Sequence, residues 1–256
     1  MSEPRCEVLS DTVTLWLGDA QECLPVIRTV DHIIGDPPYE DELHAAVGKI
    51  NRIRCDGQRT RDDLTFGGVN ADRSELARIC VEASAGWVIL FTLAEGVRAW
   101  RDALQGCGAK WDTTLFWVKP DASPRFNGQG AARGAECAVT CWVGKGYRSW
   151  NGGGKRGVYT HCVNTNRQGE HPTEKPLPLM AELIADFTRP EQLVCDPFCG
   201  SGTTGLACVN LGRSFVGIER DPKRFDLSRR RISEALARPR LPFIEPVKVK
   251  QEVLPL

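Results

Sequence analysis

Short apolar runs, separated by stretches of helical or polar character, set the rhythm of this chain. Val13–Leu17 (VTLWL), His32–Gly35, Trp87–Thr92 (WVILFT), Thr113–Val118 (TTLFWV), Ala138–Val143 (AVTCWV), Leu193–Cys195 and Ser214–Ile218 read as seven strands. Helical patterns lie near Ala20–Arg28, Arg73–Ser84, Ala94–Leu104 and Gly202–Leu211. Strands alternating with helices predict an α/β fold, a mostly parallel, doubly wound sheet covered on both faces. TTLFWV and AVTCWV have no helix between them, so they predict an antiparallel pair with a long connection. Glu40–Asn70 is charged and reads as a loop with some helix, and Pro120–Gly134 reads as a mobile loop. Gly144–Glu170 is too glycine-rich for a regular core element. The tail from Pro239 has four prolines and is expected to be extended.

Length and composition narrow the class. A chain of 256 residues, 41% hydrophobic and 26% charged, fits one large domain and is not that of a disordered chain. No apolar run approaches the ~20 residues of a membrane span, and the polar N-terminus lacks a secretory h-region. Lys+Arg and Asp+Glu both number 33, so a nucleic-acid partner would have to be held by local basic patches. The 11 cysteines form no CxxC pair and none has a histidine in metal-ligand register, which indicates neither a disulfide framework nor a metal site. Reduced thiols in a cytoplasmic protein are the expectation.

Two constellations carry the candidate chemistry. Asp36-Pro37-Pro38-Tyr39 directly follows the strand DHIIG. Consecutive prolines cannot continue a strand or helix, so this segment is rigid and fixes the Asp36 carboxylate and Pro37 carbonyl relative to one another. A plain Asp-Pro turn is the alternative. The second is Asp196-Pro-Phe198-Cys-Gly200-Ser201-Gly202-Thr203-Thr, a small-residue turn from strand into helix that lets a ligand approach the backbone. It lacks the Gly-Lys-Ser/Thr of a phosphate loop and the spacing of a dinucleotide fingerprint. Some twenty residues on, Glu219 ends the strand VGIE, where doubly wound folds place an acid on a ribose diol. The pattern points to a ribose-bearing cofactor without phosphates, with a solvated helix N-cap acid as the alternative for Glu219.

These residues resemble the amino-group DNA methyltransferases that use S-adenosylmethionine, in the permuted β-type motif order. Asp36–Tyr39 matches that family's catalytic D/N/S-P-P-Y/F/W, DPFCGSGTT its cofactor loop, and His171-Pro172-Thr173-Glu174-Lys175-Pro176 a segment preceding that loop. LWLGDAQEC at Leu15–Cys23 resembles its amino-terminal start. The resemblance runs roughly from Thr12 to Leu227 and implies a Rossmann-like methyltransferase fold as a single domain.

The resemblance also implies roles. Asp36, Pro37, Pro38 and Tyr39 would be catalytic. Asp196, Phe198, Gly200, Ser201, Gly202 and Thr203 would line the cofactor, Glu219 would take its ribose, Asp19 its adenine amine and Lys175 its carboxylate. For Asp19 a helix N-cap, and for Lys175 a surface lysine, are the alternatives. Residues 144–170 would be the target-recognition insertion on double-stranded DNA, with Lys145, Arg148, Lys155, Arg156 and Arg167 interleaved with Tyr147, Trp150 and Tyr159. A solvated loop is the alternative. Arg229–Arg231 reads equally as phosphate contacts or as a solvated helix face. The recognition region is short for the family, which suggests a short target, help from other loops or a second subunit, and the resemblance implies a homodimer. The leading Asp implies adenine N6 rather than cytosine N4 as the target. The rival readings are an RNA or protein amine methyltransferase, disfavoured by the motif order, and a catalytically inactive DNA-binding module.

Overall fold

The structure, a computed structural model, describes residues 4–27, 29–38, 72–125, 128–163 and 174–238, with the backbone alone at 52–53 and 59–60. Tyr39, Arg167, most of Glu40–Asn70 and the tail from Pro239 lie outside the described residues.

In chain order the strands are β1 (Arg5–Ser10), β2 (Val13–Leu17), β3 (His32–Gly35), the short pair β4 (Arg52–Ile53) and β5 (Arg59–Thr60), β6 (Trp87–Thr92), β7 (Lys110–Val118), β8 (Ala135–Trp142), β9 (Val158–Thr160), β10 (Leu193–Asp196) and β11 (Ser214–Glu219). The α-helices are α1 (Ala20–Cys23), α2 (Arg73–Ala83), α3 (Val97–Gly106), α4 (Leu177–Phe187), α5 (Thr203–Leu211) and α6 (Pro222–Ala237).

The main sheet runs β1-β2-β11-β10-β3-β6-β8-β7-β9. β2, β11, β10, β3 and β6 are mutually parallel. β8 is antiparallel to both β6 and β7, as the missing helix between its segment and TTLFWV predicts. The seven strands expected from the apolar runs occupy seven consecutive places in the sheet. The sheet nevertheless has nine strands, because β1 and β9 extend its edges. β1 (RCEVLS) mixes polar with apolar residues and has no buried position, so it carries no strong apolar signal. β9 corrects the reading of 144–170 as devoid of core structure: its Tyr159 is 1% exposed.

Alternation along the strands sorts side chains onto two faces. Trp87, Ile89 and Phe91 of β6 point into one core with α4, α5 and α6. Val88 and Leu90 point into the other with α1, α2 and α3. The helix α4 is missing from the apolar-run reading. Prolines open it, with Pro176 at the cap and Pro178 in the first turn, positions where a missing N–H costs nothing. Leu179, Met180, Leu183, Ile184 and Phe187 then bury one helical face. No helix among the described residues is long and apolar enough to cross a membrane.

Candidate active site

β3 and β10 are parallel neighbours, with Val194 opposite His32 and Cys195 opposite Ile33. Their carboxyl ends therefore deliver Asp36 and Asp196 to the same rim of the sheet. Gly35 makes the approach possible. A Cβ there would lie 3.0 Å from Asp196 Oδ1, 3.2 Å from Phe198 Cδ2 and 3.3 Å from Pro197 Cδ. The catalytic candidate and the glycine turn thus meet, as the sequence argument requires.

Asp36 Oδ2 accepts from Lys175 Nζ at 2.5 Å. Its Oδ1 is buried and has no hydrogen-bond partner among the described residues. Burial pushes the Asp36 carboxyl above the usual carboxylate range; the Lys175 charge opposes this and the Glu136 charge adds to it. Lys175 is buried and lies 3.2 Å from Glu136 Oε2. The resemblance places Lys175 on a cofactor carboxylate, and the alternative places it on the surface. The structure instead engages its ammonium with two protein carboxylates.

The glycine turn is held from several sides. Asp196 Oδ1 accepts from the Phe198 N–H at 2.9 Å and Oδ2 from the Thr204 hydroxyl at 2.5 Å. Burial, with Asp36 and Glu219 nearby, pushes Asp196 up to about 7. Gly202 opens α5 at φ 83°, and a Cβ there would sit 2.9 Å from Ser228 Cβ on α6. Only glycine combines that backbone with that approach. Thr203 donates to Glu174 at 2.9 Å, Arg231 pairs with Glu174 at 2.7 Å, and Arg231 also donates to the Ser201 carbonyl at 2.8 Å. Glu174 and Arg231 brace the glycine turn; sequence reasoning assigns Glu174 no role of its own and reads Arg231 as a phosphate contact or a solvated helix face, neither of which is the contact it makes here. The E-K of HPTEKP is a signal for Glu174; Arg231 has none beyond its place in a basic run.

Glu219 is buried at the end of β11. Its Oε2 accepts from Gly200 N–H at 2.8 Å and its Oε1 from Asp221 N–H at 2.9 Å. Burial raises its pKa against those two hydrogen bonds. This excludes a solvated N-cap acid, a role Asp221 fills on α6. Asp19 caps α1, accepting from Gln21 N–H at 2.9 Å.

The N6/N4 DNA methylase family model matches residues 30–230. The chain belongs to this family. It is 24% identical over 269 positions to the type II methyltransferase M.HinfI of Haemophilus influenzae, covering 95% of this chain and 74% of that protein. A shorter match, 49% identical over 67 residues, joins it to M2.MboI of Moraxella bovis and covers 26% of this chain and 24% of that relative. The solved M1.HpyAVI–SAM complex superposes with a TM-score of 0.68 at 26% identity, covering 86% of this chain and 98% of the other. The cytosine-N4-specific PvuII DNA methyltransferase shares the fold, with a TM-score of 0.64 at 15% identity and coverage of 88% and 92%.

In this methylase the basic candidates of the glycine-rich segment divide. Lys145 and Arg156 are exposed. Arg148 pairs with Asp112 and donates to the Trp111 carbonyl at 3.0 Å. Lys155 is tied to Asp186 and, at 2.6 Å, to Glu182, with its ammonium over the Tyr159 ring. It braces the segment against α4. The aromatic residues divide similarly. Tyr159 donates to Asp186 at 2.8 Å and Trp150 packs edge-on against Phe187, while Tyr147 is fully exposed. A basic–aromatic pattern on one loop cannot by itself separate groups that anchor the loop from groups that face solvent. In the Arg229–Arg231 run, Arg231 faces the glycine turn and Arg229 lies near Glu7 and Asp226.

Proposed function

We propose that this chain is a site-specific DNA adenine N6-methyltransferase that takes its methyl group from S-adenosyl-L-methionine and acts on an adenine extruded from double-stranded DNA. The observation that carries this reading is the Asp36 carboxylate at the shared strand rim. One of its oxygens is engaged by Lys175 and the other is buried with no partner among the described residues.

The donor set fits that cofactor. Asp196 and Glu219 are carboxylates whose proton affinity burial raises, gathered on one rim, and their field suits a cationic ligand. The small-residue turn lets a ligand approach at the partly exposed Phe198 and Gly200, and Glu219 stands where a ribose diol would be met. Gly200, Ser201, Gly202, Thr203, Phe198 and Asp196 are assigned to the cofactor, and Asp19 to its adenine end. Lys175 is assigned instead to Asp36.

An exocyclic amine is a poor nucleophile because its lone pair is delocalised into the ring. Asp36 Oδ1 and the Pro37 carbonyl accept its two hydrogens and draw the nitrogen toward tetrahedral geometry, localising the lone pair. When bound, the cofactor supplies an electrophilic methyl group. The rigid proline pair holds the amine in line, so positioning and fixed dipoles supply much of the rate. The proton the nitrogen sheds passes to Asp36, whose buried carboxylate is more basic than an exposed one. Tyr39 is assigned to stack on the extruded base. Lys145, Arg156 and Arg167 are assigned to phosphates, and residues 144–170 to target recognition within a single domain. A second copy of the chain would widen that short reader.

Digesting methylated DNA to nucleosides tests the assignment. N6-methyladenine is expected. N4-methylcytosine would transfer the same machinery to the other base, and methyl transfer to RNA or protein alone would overturn the DNA reading.

A further inference from the structure

Four charged side chains form an unbroken row across the rim: Asp36 after β3, Lys175 before α4, Glu136 in β8 and Lys119 after β7. Asp36 Oδ2 meets Lys175 Nζ at 2.5 Å, Lys175 meets Glu136 Oε2 at 3.2 Å, and Lys119 is hydrogen-bonded to Glu136 Oε1. Side-chain exposure is 26% for Asp36, 6% for Lys175 and 13% for both Glu136 and Lys119. Aromatic rings floor the row, with Lys175 5.0 Å from the Phe91 centroid and Lys119 4.3 Å from that of Trp117. The signs alternate and sum to zero, so each buried charge sits beside its opposite.

We infer that Glu136 is a positioning residue for methyl transfer, holding the Lys175 ammonium so that it engages only Oδ2 of Asp36 and leaves Oδ1 for the target amine. The inference rests on the methyltransferase reading above. The row explains why a strand carries an acid at the edge of an apolar run. Lys175 has three N–H donors and could chelate both Asp36 oxygens. Glu136 draws it toward β8, and Lys119 occupies the far Glu136 oxygen, fixing the carboxylate in turn. The charges facing Asp36 among the described residues are Lys175, Glu136, Lys119 and, from β10, Asp196. Glu136 makes Asp36 more basic and Lys175 makes it less so. Both effects act on the group that accepts hydrogen from the nucleophile.

The experiment compares Glu136→Gln, Glu136→Asp and Lys175→Met with the full-length wild type by steady-state methylation of DNA across pH, alongside calorimetric S-adenosylmethionine binding. Glu136→Gln is expected to bind cofactor within a few-fold of wild type yet lose kcat on the order of 10- to 100-fold, the cost of a misplaced reacting group. The acid limb of its profile should move to lower pH, because the negative neighbour of Asp36 is gone. Lys175→Met should move that limb the opposite way. Glu136→Asp, which keeps the charge, should recover part of the loss. Unchanged kcat and acid limb in Glu136→Gln would overturn the inference while leaving wild-type methylation intact. A variant that loses cofactor binding in parallel with kcat would mark Glu136 as merely structural and equally overturn it. If wild type itself methylates no DNA, the underlying reading fails instead.

Discussion

Asp196 carries its charge at a cost to the fold. Its folded pKa of about 7 lies above the ordinary 3.8, so between these values the folded chain holds the proton more tightly than the unfolded chain. Its favourable contribution is full below the lower value and is lost as pH rises through the upper one. Asn at this position can still accept from the Phe198 N–H and pair with the Thr204 hydroxyl. Asp196→Asn should therefore melt higher than wild type at about pH 8, with the gain shrinking as pH falls through the window; thermal denaturation across pH measures it. A Tm gain that persists undiminished at low pH would contradict the burial argument. Glu219 offers the complementary case, with both oxygens bonded to backbone N–H groups at the site. Glu219→Ala should raise the cofactor Kd by about 10- to 100-fold, the worth of hydrogen bonds to a charged group, and reduce kcat at saturating cofactor much less. Calorimetry and saturation kinetics separate the two effects. At this scale the sequence identifies Asp36, Asp196 and Glu219, because each ends a strand beside a turn of unusual composition. It does not identify Glu136, whose partners come from segments far apart in the chain.

Elements behave as braces. α6 reaches the glycine turn through Arg231, which bonds Glu174 and the Ser201 carbonyl. Arg231→Ala leaves Glu174, with a side chain only 9% exposed, without that cation. Cofactor affinity should fall roughly 10-fold, from a few kcal/mol of turn support shared between folding and binding. Equilibrium binding checks this; an unchanged Kd would show that the turn holds itself. The 144–163 segment leans on α4 through Lys155, Tyr159 and Trp150. Lys145→Ala with Arg156→Ala should lower the slope of log affinity against log salt by about 0.9 for each phosphate that is no longer neutralised. Lys155→Ala should leave that slope unchanged and make the segment easier to cleave by protease. A slope that responds to Lys155 and not to the exposed pair would reverse these assignments. Periodicity finds β2, β3 and β6 with their observed limits because apolar residues dominate each short run. It misses β9, whose single buried residue is set among glycines, and α4, whose prolines resemble a break until the first-turn rule is applied.

At the scale of the molecule, residues separated by 160 positions become neighbours because β3 and β10 lie side by side in the sheet. The order of apolar runs and helices implies such a sheet, but pairing order is a tertiary property that no local pattern encodes. The motifs supply it indirectly, since chemistry demands that the two strand ends meet. The convergence of Asp36 with the glycine turn is the centre of the account. Its most direct test is labelled-methyl transfer to DNA by Asp36→Ala, measured together with S-adenosylmethionine binding by the same preparation. Transfer should fall to background while the cofactor Kd stays within a few-fold of wild type; methylation at the wild-type rate would contradict it.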